Sequence, residues 1–203
     1  QSLDASPDPC YACTGMIYLD NNATTKLHPE VLDAMMPFLT DAYANPSSGY
    51  RCSRQVKKAV DQARGQVASL LGADPHEIIF TSGGTEADNL ALRGAVRALR
   101  DRGNHIITST VEHHAVLKTC EALAGEGWEV TRVPVDGAGL VAPAAIEAAI
   151  TADTVVVSVM LANAEVGSIQ PLAEICAIAH QRGVLVHTDA VQAVGKIAVD
   201  VDE

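Results

Sequence analysis

Aromatic side chains are scarce in this sequence, with one Trp, four Tyr and two Phe among 203 residues. Any core must therefore be built from Ala, Val, Ile and Leu, which suits a parallel sheet covered by helices. Basic residues are also few: 14 Lys and Arg stand against 25 Asp and Glu, a formal charge of −11. That balance argues against nucleic acid or an anionic membrane as a partner. It leaves an anionic small molecule open, because backbone N–H groups can hold a phosphate locally. No stretch approaches the roughly 18 apolar residues of a membrane helix. The longest apolar run, Thr154 to Ala162, is interrupted by Ser158 and reads as a buried strand.

Cysteine is sparse as well. Five cysteines, an odd number with no secretory signal, fit a reducing, cytoplasmic setting better than a disulfide framework. Cys10 and Cys13 form a lone CxxC without the second pair that zinc would need. Cys120 and Cys176 fall on predicted helices and read as core residues. The length fits one domain. Residues 1–15 are polar and without periodicity, so they read as a tail or upstream sequence, with Met16 just before the first patterned segment. The last residues, Val199 to Glu203, contain no closing element.

Short apolar runs alternate with helical patterns, as in repeated βαβ units. Helices are predicted over Pro29–Leu39, Arg54–Leu71, Glu86–Arg100, His114–Ala124, Ala142–Ile150 and Leu172–Gln181. Gly72 suits the C-terminal cap of the second. Strands are predicted over Glu77–Phe80, His105–Thr108, Trp128–Val133, Thr154–Leu161 and Val184–His187. No internal repeat breaks this into smaller units, and one doubly wound α/β domain is the economical reading.

Ligands of open α/β sheets bind beyond the carboxyl ends of the strands, and here those positions are polar. Thr81-Ser82-Gly83-Gly84-Thr85-Glu86 forms a strand–glycine turn–helix passage. Its helix start can present N–H groups to an anion, with Thr85 adding a hydroxyl; a plain N-cap at Ser82 or Thr85 is the bland alternative. The segment has neither the lysine of a P-loop nor GxGxxG, so ATP and NAD are poorly supported. Glu112-His113-His114 follows the next strand. An imidazole there can stack on a planar group and move protons, or simply cap a helix, and only one of the two histidines need face the crevice. Asp189 ends an apolar strand, where a carboxylate is costly to bury unless a cation or several donors meet it. A protonated pyridine nitrogen would be such a cation; helix capping and a metal site shared with His187 are the alternatives, the latter lacking a third ligand nearby. Gln192 lies on the Asp189 side of a helical turn.

In order and wording these segments resemble one family. Tyr18-Leu19-Asp20-Asn21-Asn22-Ala23-Thr24-Thr25, Asn45-Pro46-Ser47-Ser48 and Phe80-Thr81-Ser82-Gly83-Gly84-Thr85-Glu86-Ala87-Asp88-Asn89 are similar to the opening motifs of cysteine desulfurases, in the class V aminotransferase family. His105-Ile106-Ile107-Thr108-Ser109 with Glu112-His113, and His187-Thr188-Asp189-Ala190-Val191-Gln192 with Gly195-Lys196, continue the likeness to Glu203. The resemblance implies a fold-type-I large domain, a mostly parallel sheet flanked by helices, that binds pyridoxal 5'-phosphate. It implies Gly84 and Thr85 in the phosphate cradle and His113 stacked on the ring as a proton-transfer group. Asp189 would pair with the pyridinium nitrogen, and Gln192 would bond the ring hydroxyl. No metal is implied. For the whole enzyme it implies L-cysteine as substrate, L-alanine and an enzyme persulfide as products, a sulfur-acceptor protein, iron–sulfur cluster or thio-cofactor assembly as the use, and a homodimer.

Three departures accompany the likeness. The family reads Asn-Asn-Glu where this chain has Asn163-Ala164-Glu165, and the second asparagine is the one that reaches the cofactor, which leaves Asn163 to compensate. Gly49-Tyr50 follows the Asn-Pro-Ser-Ser loop in place of a histidine. The Ser-x-His-Lys segment whose lysine attaches the cofactor, the sulfur-accepting cysteine and the substrate-binding arginine match nothing in these 203 residues. Lys196 matches a different family position. On this reading residues 16–203 are an incomplete large domain without its small domain, and the isolated chain is expected to be inactive. Rival expectations are a selenocysteine lyase or other class V enzyme, a non-catalytic cofactor-binding remnant, and a nucleotide-binding domain.

Overall fold

The computed structural model describes residues 17–202. The expected tail with its Cys10–Cys13 pair, and Met16, lie outside the described residues. The described residues form six α-helices and four strands in the order α1 (Pro29–Thr40), α2 (Arg51–Leu71), α3 (Gly84–Ala98), β1 (His105–Ser109), α4 (His114–Gly125), β2 (Glu129–Val133), α5 (Pro143–Ala149), β3 (Thr154–Ser158), α6 (Leu172–Gln181) and β4 (Leu185–His187). Every helix predicted from the sequence forms. The largest boundary shift is at α2, which begins at Arg51 rather than Arg54. Gly72 closes α2 in the left-handed region at φ 71°, where glycine carries no Cβ penalty.

The four strands make one sheet in the order β2-β1-β3-β4, and every pairing is parallel. From β1 the chain steps outward to β2, then crosses back over β1 to lay down β3 and β4. The direction of winding therefore reverses between β1 and β3, which places a crevice at their carboxyl ends. Both faces are covered. Ile106 and Val156 join Leu92 and Val96 of α3 and Val116, Cys120 and Leu123 of α4 in one apolar layer. Ile107 and Val157 join Ile146 of α5 and Ile175 and Ala179 of α6 in the other. β1 and β3, covered on both faces, are buried throughout. The β1–β3 register shifts between His105 and Ile106, where Val155 has no partner. This bulge explains why the consecutive Val155 and Val156 both enter the first layer.

One predicted strand is corrected. Pro75–Glu77 forms a 3₁₀ turn closed by a capping box, in which Asp74 accepts from His76 N–H and Glu77 accepts from Asp74 N–H. The extended residues after it join no sheet among the described residues, and Ile79 and Phe80 stand 70% and 50% exposed. A strand needs a neighbouring edge to satisfy its backbone. Here the Ile78 carbonyl instead accepts from Arg64, whose guanidinium lies 4.8 Å from the Phe80 ring centroid. Helix α1 is unusual in the opposite sense, being apolar in composition with no buried residue. No helix among the described residues is long and apolar enough to cross a membrane.

Candidate active site

A cavity of about 990 Å³ opens at the winding reversal. Its wall is made by the segments following β1, β3 and β4, by the start of α3 and by the loop at Asp20–Ala23. Gly84, Thr85, His113, Asp189 and Gln192, the five residues singled out from the sequence, all line it.

The start of α3 faces this cavity. The first N–H groups of a helix have no partner within it, and they carry the positive end of the helix dipole. Ser82 N–H is taken by the Glu86 carboxylate at 2.6 Å, so neither Ser82 nor Thr85 acts as a side-chain cap. The Thr85 hydroxyl is exposed at the cavity wall. A Cβ at Gly84 would come within 2.7 Å of Val191 Cγ2. A side chain at 84 would therefore force Val191 to shift where α3 approaches the turn after β4.

His113 is the N-cap of α4, and its Nδ1 accepts from Ala115 N–H at 3.1 Å. The capping role and the cavity position coexist, and the cap puts the ring proton on Nε2. His114 lines the cavity as well, so both histidines face it where one was expected. Asp189 is 7% exposed, with Oδ1 accepting from Val191 N–H at 3.0 Å. Gln192 donates to the Asn22 carbonyl at 3.2 Å and accepts from Lys196. Lys196 is thereby placed outside the cavity wall, bound to the glutamine rather than offered to a ligand.

The segment Asn163-Ala164-Glu165 resolves one open question. Asn163 donates to the Val111 carbonyl at 3.1 Å and accepts from the N–H groups of Glu165 and Val166. Its side chain holds two loops together and does not replace the amide absent at Ala164. Instead the Ala164 carbonyl accepts from Asn22 Nδ2 at 2.7 Å.

Two acids in the cavity were not assigned from the sequence. Glu112 is 6% exposed; its Oε1 accepts from the Ser109 hydroxyl at 2.5 Å and from Met160 N–H at 2.9 Å, while Oε2 is buried without a partner. Burial, the dominant influence, pushes its pKa up to about 7. Asp88 is 5% exposed on α3 and is pushed up to about 6, first by burial and then by the charge of Asp189. The signal for Asp88 was present: with Leu92 and Val96 it occupies one helical face at i, i+4, i+8, an acid on an otherwise apolar stripe. His187 lies beneath, its Nδ1 2.9 Å from the Ser158 hydroxyl and its Nε2 3.6 Å from Asp88. Burial lowers its pKa, which favours the neutral ring.

Donor atoms of Asp88, His113 and Asp189 lie within 4.8 Å of one another. We read this cluster as the closed end of a pocket for an organic cofactor, because it shares one cavity with a helix N-terminus, a stacking imidazole and an amide. The residues present fit pyridoxal phosphate. Gly84 permits the close approach of α3, Asp189 is a buried acid that no lysine or arginine pairs with among the described residues, and the cavity has room for a ring between them.

Fold and site define a class. The pattern of the family described as "Aminotransferase class-V" matches residues 17–203, and the chain belongs to that family. Its members, the cysteine desulfurases among them, depend on pyridoxal phosphate. Cysteine desulfurase IscS of Methanosarcina thermophila is 51% identical over 185 residues, covering 91% of this chain and 46% of that protein. The human cysteine desulfurase is 50% identical over 188 residues, covering 92% and 41%. Among solved structures, a NifS-like protein superposes with a TM-score of 0.89 at 40% identity, covering 92% of this chain and 52% of the other. SspA in complex with cysteine superposes with a TM-score of 0.88 at 37% identity, covering 91% and 53%. The chain spans about half the length of the curated relatives it matches, and it corresponds to their N-terminal portion.

Proposed function

We propose that this chain is the cofactor-binding front portion of a cysteine desulfurase, with residues 16–203 belonging to its large domain. The observation that carries this reading is the cavity, where the start of α3, His113 after β1, and Asp189 with Gln192 after β4 converge from three separate segments. The N–H groups at the start of α3 and the Thr85 hydroxyl would hold the phosphate. Asp189 would meet the ring nitrogen, and Gln192 would turn its amide to the ring hydroxyl. His113, protonated on Nε2, would stack on the ring and hand protons to and from the substrate. Bound there, the cofactor supplies an electron sink for the reacting carbon.

The whole enzyme would take sulfur from L-cysteine, leaving L-alanine and an enzyme persulfide that a sulfur-acceptor protein receives for iron–sulfur or thio-cofactor assembly. A homodimer is supported by α1, whose Val31, Leu32, Met35, Met36 and Leu39 are all exposed and call for a covering surface. A cytoplasmic, reducing setting is consistent with the free Cys52, Cys120 and Cys176.

Among the described residues no lysine lines the cavity, which supports a second statement about these 203 residues taken alone: they bind pyridoxal phosphate without covalent attachment and do not turn over cysteine. Titration with pyridoxal phosphate, followed by absorbance, should show saturable binding that Asp189→Ala weakens at least tenfold. Incubation with L-cysteine and cofactor should release no alanine above a protein-free control. Absence of binding would sink the cofactor reading, and sustained alanine release would sink the claim of inactivity.

A further inference from the structure

We propose that Asp88 is a positioning residue of the cofactor site: a second carboxyl group at the closed end of the cavity, which gives up a proton when a cationic ring nitrogen arrives at Asp189. The inference rests on the cofactor reading above and goes beyond it, since neither the helix start nor Asp189 requires an acid at position 88.

The geometry places the group. Asp88 is one turn into α3, on the stripe that continues as the fully buried Leu92 and Val96. Its side chain points beneath the sheet ends rather than outward, where an acid at a helix start ordinarily sits. It lies within 4.8 Å of donor atoms of Asp189 and His113. It is met from β4 by His187 at 3.6 Å, and the Ser158 hydroxyl holds the far side of that ring at 2.9 Å. Titratable groups face Asp88 from each element around it: His187 from β4, Asp189 from the turn beyond, and His113 and Glu112 from the passage between β1 and α4. Two carboxyl groups this close in a poorly solvated pocket resist ionising together.

The protonation state follows. With the ring site empty, burial and the Asp189 charge favour the protonated form of Asp88, whose pKa is raised to about 6. A pyridinium beside Asp189 offsets that negative charge, lowers the Asp88 pKa, and the carboxyl releases its proton to solvent. Because the pKa is lower in the bound state, this coupling favours binding as pH rises through about 6 and disfavours it as pH falls. The Asp88 carboxyl is met by His187 and Asp189 one turn beyond the helix start, so a ligand occupying the phosphate end alone should not draw the proton.

The test is the number of protons exchanged on binding, from calorimetric titration of the 203-residue chain at pH 6 in two buffers of different ionisation enthalpy. Pyridoxal phosphate and inorganic phosphate are the probes. Wild type should release about half a proton more with pyridoxal phosphate than Asp88→Asn does, because a group at its midpoint is half protonated. Asp88→Glu should restore most of that release. Inorganic phosphate should show no difference among the three. A thermal melt of each variant confirms that it is folded. Should Asp88→Asn fail to fold, Asp88→Ser, which also removes the carboxyl, takes its place. A difference among the variants that inorganic phosphate produces equally overturns the proposal. Equal proton counts in wild type and Asp88→Asn overturn the role of Asp88 and leave the cofactor reading standing. Failure of wild type to bind pyridoxal phosphate at any pH overturns both.

Discussion

Asn22 donates from its side-chain amide to the Ala164 carbonyl at 2.7 Å, across 142 positions of sequence. Its own carbonyl accepts from Gln192, so one residue of the N-terminal loop ties together the segments after β3 and β4. A single hydrogen bond contributes about 1 kcal/mol net. Asn22→Ala should therefore weaken binding of pyridoxal phosphate roughly 3- to 10-fold by loosening Gln192 and the wall at Ala164. Its melting temperature should hardly move, because the loop is exposed. An unchanged dissociation constant would show that the clamp has no part in the site.

Ala164 faces the cavity at a position where the resemblance implies an amide, and Asn163 is already bonded to its own loops. Ala164→Asn should tighten cofactor binding several-fold, by the ~1 kcal/mol of one added hydrogen bond. Asn163→Ala should instead lower stability, because it removes bonds to Val111, Glu165 and Val166. Equilibrium titration for the first variant and urea unfolding for the second separate the two roles; an affinity gain from neither amide would count against the assignment of position 164.

Gly84 and Val191 are in steric register, a Cβ at Gly84 meeting Val191 Cγ2 at 2.7 Å. Gly84→Ala should cost about 1–3 kcal/mol through overpacking against a stiff β-branched side chain. Val191→Ala in the same molecule should recover most of the loss. If the double variant is no more stable than Gly84→Ala, the approach of α3 to the turn after β4 is not set by this contact.

Glu112 makes stability depend on pH. Its folded pKa is raised to about 7 from an ordinary 4.5, so the folded state holds the proton more tightly than the unfolded one. Below pH 4.5 the group contributes no difference; between there and about 7 it progressively destabilises the fold, by a few kcal/mol at most. Glu112→Gln keeps the acceptor for Ser109 and Met160 and removes the titration. Its urea-unfolding stability should gain on wild type as pH rises from 4.5 to 7. A parallel pH profile for the two proteins would mean that the buried acid finds a partner at Oε2.

Local signals were enough for the regular elements. Helical period marked α1 through α6, with Gly72 closing α2, and apolar composition marked β3 most plainly, because helices satisfy their hydrogen bonds within a segment and a strand buried on both faces must be apolar on both. Strand-end polarity marked His113, Asp189 and Gln192 as neighbours, since in a parallel sheet all carboxyl ends point one way; Gly84 and Thr85 join them although the strand expected before them, Glu77–Phe80, enters no sheet among the described residues.

What tertiary structure alone decided is which groups find partners. Glu77–Phe80 has a strand's composition, yet pairing belongs to two segments, and among the described residues no edge meets it. Asp88 stands out in sequence as an acid on the apolar stripe of Leu92 and Val96, yet only the packing of α3 on the sheet turns it toward Asp189. Ala164 looks like a lost amide until Asn22 arrives from 142 positions away. Composition and period act along the chain; burial, pKa and clamping depend on distances across it, and those exist only once the sheet is wound.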